Sequence, residues 1–129
     1  MKRQKINFPS TVLEWSEWFR WNDLKKDARH RGEVKVPNKK AGVYEVKYSG
    51  GEKRLTIGRA TDLRMRIKQG LVKGKVPHSA GKKIRANEDV SRIVVRWAVT
   101  ERPAAVEEEL HRRYRDGFGG KLPKYVHHT

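Results

Sequence analysis

GVYEVKYSGGEKRLTIG, residues 42–58, is the stretch that decides how this chain folds. From Gly42 to Tyr48 the side chains alternate. Tyr44, Val46 and Tyr48 share one face of an extended strand, and Val43, Glu45 and Lys47 share the other. Ser49-Gly50-Gly51 is a turn signal, because glycine enters the positive-φ conformations of tight hairpin turns without steric cost. Arg54 to Gly58 then returns as the partner strand, with Leu55 and Ile57 on one face and Thr56 on the other. A slip of one residue would turn every side chain over. The register inferred from the turn places Thr56 on the Tyr44 face.

Working outward, Thr61 is an N-cap for a helix running to Gln69, with Asp62 in its first turn and Gly70 as its stop. Gly70 to Gly81 carries four breakers and reads as a loop or broken helix exposing Lys73, Lys75 and His78. Residues 91–99, SRIVVRWAV, form the clearest strand, with Ile93, Val95, Trp97 and Val99 on one face. Pro103 suits the first turn of a last helix through VEEELHRRYRD, ended by Gly117, Gly119 and Gly120. Upstream, Thr11 and Glu14 have capping-box spacing, and Val12, Trp15, Trp18 and Phe19 recur at helical intervals. A helix from Val12 toward Lys26 is therefore expected, with Trp15 and Phe19 covering the sheet, followed by an exposed basic connection to Lys40.

The resulting fold class is α+β: a small three-stranded, mainly antiparallel sheet flanked by helices, with an extra N-terminal helix. Residues 1–40 hold that helix and the basic connection, and residues 41–129 hold the main unit, in one compact domain.

Charge narrows the partner. The chain has 129 residues, 31 Lys+Arg against 15 Asp+Glu, and a formal charge of +16. Such a surplus points to a polyanion, most simply DNA or RNA. Arg29, Arg31, Lys39, Lys40, Arg64, Lys73, Lys75, Lys82 and Lys83 are the candidate phosphate contacts. The absence of cysteine excludes disulfides and thiolate-bound zinc. No run of 18 apolar residues and no apolar signal-peptide core occur, so a cytoplasmic protein without a membrane partner is expected, as a monomer or homodimer.

One acidic run stands out against this charge: Val106-Glu107-Glu108-Glu109-Leu110. On a helix, Val106, Leu110 and Tyr114 form one stripe. Glu107 lies about 60° from its centre, Glu109 about 100° away and Glu108 nearly opposite. Glu107 is thus the carboxylate at the edge of the buried face. There it must be paired, for instance with Arg113, or hold a cation.

Gly42-Val43-Tyr44, Thr56-Ile57-Gly58, Arg66, His78 and Glu107, taken in order, resemble the GIY-YIG nuclease family. GVY stands for GIY and TIG for YIG. Arg66 follows Gly58 by eight residues, as the family's catalytic arginine does in its first helix. VKGKVPHSAGKKI is similar to the family's histidine-bearing loop, and VEEELHRRY to its glutamate-bearing helix. The likeness spans about residues 41–126.

It implies a metal-dependent endonuclease that hydrolyses phosphodiester bonds, in DNA in preference to RNA. One Mg²⁺ or Mn²⁺ would be held by Glu107, in keeping with the oxygen preference of hard cations. Tyr44 would orient or deprotonate the attacking water, Arg66 would bind the scissile phosphate, and His78 would contact phosphate or move a proton. Spacing within the helix alone leaves Arg64 and Arg66 equivalent; the resemblance selects Arg66.

Two departures stand out. The second family tyrosine is Thr56 here, with Lys53 and Arg59 as candidate compensating charges. The asparagine common near the domain's C-terminal end has only Val126 or His127 in a comparable stretch. The alternative is a catalytically weak or inactive nucleic-acid-binding protein on the same fold. An RNA-binding protein unrelated to nucleases would explain the charge but not the ordered series.

Overall fold

A computed structural model of the chain describes residues 5–8 and 11–126. Six strands occur among them: β1 (Lys5–Phe8), β2 (Thr11–Glu14), β3 (Phe19–Arg20), β4 (Gly42–Tyr48), β5 (Arg54–Ala60) and β6 (Ile93–Val99). β1 and β2 pair with each other, and the remaining four form an antiparallel sheet in the order β3-β6-β4-β5. The hairpin forms where the alternation puts it. Tyr44 lies opposite Gly58 and Val46 opposite Thr56, so Thr56 does share the Tyr44 face. β5 is left as one edge strand, with the short β3 as the other.

Both faces of this sheet are covered, which is why Gly42 to Val46 is buried without a break. One face carries Tyr44, Val46, Val95 and Trp97. It packs on Ile67 and Leu71 of a π-helix (Met65–Val72), on Ile84 of helix α1 (Ser79–Asn87), and on Trp21 and Leu24. The other face carries Val43, Ile57 and Ala98, and packs on Leu13, Trp15, and Val106 and Leu110 of helix α2 (Pro103–Gly117). Glu45 is buried on this second face. Arg54 and Arg96 reach its carboxylate at 3.0 and 2.7 Å, and the Arg96 guanidinium lies 4.2 Å from the Trp15 ring centre and 4.5 Å from that of Trp18. Only such pairing makes a buried carboxylate tolerable.

The expected N-terminal helix is not formed. Residues 11–14 are a strand, Phe19–Arg20 pairs with β6 to make a fourth strand, and only a short 3₁₀ turn (Trp21–Lys25) follows. The reason is tertiary. Trp15 and Trp21 are both fully buried, but in the clusters on opposite faces of the sheet. An extended chain can cross the outer edge of β6 between those residues. Ser16 fastens the crossing: its amide donates to the Trp97 carbonyl at 2.8 Å, and its hydroxyl accepts from the Trp97 amide at 3.0 Å. The β6 edge would otherwise present unpaired backbone groups.

The stretch after β5 also differs from expectation. Asp62 rather than Thr61 accepts from an amide of the first turn, that of Met65, at 3.2 Å. Gly70 does not stop the helix; it lies inside the π-helix, which closes with the Lys73 amide on the Lys68 carbonyl at 3.0 Å. Both glycines there act in packing. A Cβ on Gly70 would press on the His78 ring, and one on Gly81 would meet the Leu71 backbone. Read from sequence, they looked like breakers. No helix among the described residues is long and apolar enough to cross a membrane.

Candidate functional site

At the free edge of β5 a cavity of about 250 Å³ opens between α2 and the start of α1. Tyr44, Arg66, His78 and Glu107 all line it, although they come from four separate elements or their junctions. Tyr44 reaches this edge by laying its ring across β5, which only a glycine permits: a Cβ on Gly58 would collide with the phenol. Gly42 has a similar reason, since its Cβ would strike the Ala98 carbonyl and Leu63. The glycines of both short motifs are thus close-approach residues.

His78 is buried, not exposed as the loop reading had it. It caps α1, its Nδ1 accepting from the Gly81 amide at 2.9 Å. Nδ1 is therefore unprotonated, and the ring proton sits on Nε2, which donates to Tyr44 Oη at 2.7 Å. Burial, followed by the charges of Arg66 and Arg85, pushes His78 down to about 3, so the ring is neutral. Burial pushes the Tyr44 phenol up to about 12, opposed by Arg66 and reinforced by Glu107. The Tyr44 oxygen accepts from His78 and directs its own proton elsewhere.

The structure separates the two arginines that spacing left equivalent. Arg66 lines the cavity and donates to the Pro77 carbonyl at 3.3 Å. Arg64 turns away to Glu33 at 2.9 Å, where fully buried Lys68 also binds at 3.3 Å. Arg64 is half-buried in this pair, so it is not a freely presented phosphate contact. The three glutamates are sorted as helix geometry requires. Glu107 faces the cavity, its side chain 22% exposed, with Arg59 at 3.6 Å. Glu108 is exposed. Glu109 binds Arg112 and Arg113, which hold its carboxyl down to about 2. Arg113 is therefore engaged by Glu109 rather than Glu107.

Thr56 is buried at the cavity's inner wall, and its hydroxyl donates to the Tyr125 carbonyl at 2.6 Å. The Tyr125 amide donates to the Leu55 carbonyl at 2.8 Å. The C-terminal segment is thereby fastened along the open edge of β5. Glu88 anchors it, accepting from Tyr48, Lys124 and Tyr125 at 2.6, 2.7 and 2.6 Å. Val126 is half-buried, and His127 lies outside the described residues. Of the candidate compensating charges, Arg59 lines the cavity. Lys53 does not; it is exposed beside the turn and borders a different depression with Tyr48 and Glu88. Arg54 and Leu55 lie between it and Thr56, a span of roughly 10 Å.

His111 also lines the cavity and was not singled out from sequence. Its Nε2 donates to the Ile57 carbonyl at 3.0 Å, covering another edge group of β5. The signal was present: Glu107 and His111 are four apart, hence on one helix face. Among the basic candidates, Arg29, Arg31, Lys39, Lys40, Lys75, Lys82 and Lys83 are exposed, while Lys73 is half-buried. Arg29 is paired with Asp27 at 3.1 Å.

The donor set can be tested against a divalent cation. Among the described residues no group of three or more carboxylate or imidazole side chains is arranged to hold a metal ion. The cavity offers one carboxylate, Glu107, beside polar groups and open space. Mg²⁺ fits such a set, since it keeps most of its waters and is often held by one or two carboxylates. Comparison of the chain with protein-family models, with curated proteins and with solved structures found no match.

Proposed function

We propose that this chain is a metal-dependent phosphodiesterase: an endonuclease that cleaves nucleic acid, DNA in preference to RNA, in the cytoplasm. One observation carries the reading. Tyr44, Arg66, His78 and Glu107, the four residues selected from sequence for this chemistry, line a single polar cavity on a chain of charge +16.

Each side chain has a role that its surroundings support. Arg66 binds the scissile phosphate, and its fixed charge favours the added negative charge of the transition state. Tyr44 orients the attacking water through its phenolic oxygen. His78, locked as the Nε2–H tautomer, donates to that oxygen and holds it in place. Neutralising Glu107 removes one of the two influences that keep the phenol protonated. Glu107 would hold the cation, which when bound supplies Lewis acidity at the phosphoryl and leaving oxygens. Arg59 is close enough to share in balancing the charge.

The alternative, a nucleic-acid binder with feeble catalysis, is favoured by two contacts. Thr56 is engaged by the Tyr125 carbonyl, and Arg59 occupies the neighbourhood of Glu107. Cleavage of supercoiled plasmid with Mg²⁺ or Mn²⁺ separates the readings. The nuclease loses about a hundredfold or more in Glu107→Gln while DNA binding persists. Binding without metal-dependent cleavage by the wild-type chain, on DNA and on RNA, would leave only the alternative.

A further inference from the structure

The Glu107 carboxylate has a neighbour able to change which cation it accepts. We propose that His111 Nδ1 joins Glu107 in a two-residue site for a first-row transition cation such as Mn²⁺ or Co²⁺, in preference to Mg²⁺. This rests on the reading of Glu107 as the residue that holds the cation.

Three observations lead there. Glu107 and His111 are one turn apart on α2 and line the same cavity. The His111 ring is held by a hydrogen bond from Nε2 to the Ile57 carbonyl at 3.0 Å. A carbonyl can only accept, so the proton is on Nε2 and the Nδ1 lone pair is available. Metal-ligating histidines are held in this manner: the remote ring N–H is given to a backbone carbonyl or carboxylate, which fixes tautomer and ring plane. Covering an edge carbonyl needs a donor alone, which Gln or Arg would supply equally. An imidazole adds a second, basic nitrogen.

The competing charge is easily moved. Arg59 stands 3.6 Å from Glu107, beyond close hydrogen-bond distance, and its side chain is 56% exposed. An entering cation displaces one solvated guanidinium and breaks no buried pair. Mixed nitrogen and oxygen donation then sets the preference. Imidazole nitrogen adds affinity for later first-row ions along the Irving–Williams order and adds little for Mg²⁺, which demands oxygen.

Calorimetric titration of the full chain with Co²⁺, Mn²⁺ and Mg²⁺, without nucleic acid, tests the site. The visible spectrum of bound Co²⁺ and the ring-nitrogen NMR signals of His111 provide independent readouts. Wild type should bind Co²⁺ more tightly than Mg²⁺, with Nδ1 and not Nε2 responding. His111→Ala and His111→Gln should each lose roughly tenfold or more in Co²⁺ affinity with little change for Mg²⁺. The Gln variant keeps a donor for Ile57, so a loss confined to Ala would mark the fold as its cause and overturn the proposal. Unchanged Co²⁺ affinity in both variants would also overturn it. Because no cleavage is measured, the two readings fail separately. A cleaving enzyme whose Co²⁺ affinity ignores His111 loses this site alone. An inactive chain with His111-dependent Co²⁺ binding keeps the site and loses the nuclease.

Discussion

His78 occupies its pocket without charge, and that has a cost in acid. Its pKa falls from 6.5 in the unfolded chain to about 3 in the folded one. Between those values the unfolded state binds the extra proton, so stability is full above pH 6.5 and declines as pH drops. From pH 6.5 to 5 the loss is about 2 kcal/mol. Glu33, Glu88 and Glu109, each held at about 2, contribute mainly below their ordinary 4.5. Denaturant unfolding across pH 5–7 should show this decline in wild type and a flatter profile in His78→Asn, which retains a cap acceptor. The residue was singled out in the sequence by its place in an ordered series. Its burial was not legible there, because Gly70 and Gly81 looked like loop formers until the packing they permit was visible. Arg66 and Glu107 were legible for different reasons, one from motif spacing and the other also from helix angle. His111 was hidden among the charged residues of HRRY.

Among the elements, the hairpin and α2 were the most legible, because each has a clean hydrophobic period and its own stop signals. The N-terminal segment misled because its aromatic spacing fits a helix while its tryptophans are needed on opposite faces of a sheet. Only the completed sheet presents that demand. The C-terminal strap has a similar origin: nothing in LPKYV announces that Tyr125 will bind Leu55 and Thr56. This strap decides what Thr56→Tyr does. Adding the phenol that the family pattern calls for would insert a ring at a buried position whose hydroxyl already holds the strap. Overpacking of this kind costs roughly 1–3 kcal/mol. The variant should show a lower denaturant midpoint and no gain in single-turnover cleavage rate; a faster, equally stable Thr56→Tyr would contradict the strap's role. Thr56→Val keeps the volume and removes the hydrogen bond, and should lower stability by about 1 kcal/mol in the same unfolding assay.

For the whole molecule, a charge of +16 is the property most directly open to measurement. If the exposed cations meet phosphates, the logarithm of the association constant falls linearly with the logarithm of salt concentration. Its slope is near −0.9 for each duplex phosphate contacted. Replacing Lys82 and Lys83 together should make that slope shallower by up to about two contacts, measured by fluorescence titration at several salt concentrations. Arg64→Ala should act mainly on stability instead, since it breaks a half-buried pair with Glu33. The π-helix that carries Arg66 has a further consequence for chain length. Along Met65–Val72 each hydrogen-bonded turn closes over five residues rather than four, so the segment holds surplus chain compared with an α-helix. Removing exposed Met65 lets this helix tighten without shortening any strand. Loss of one residue here should therefore lower the melting temperature less than loss of one from β4, whose downstream side chains would all change face.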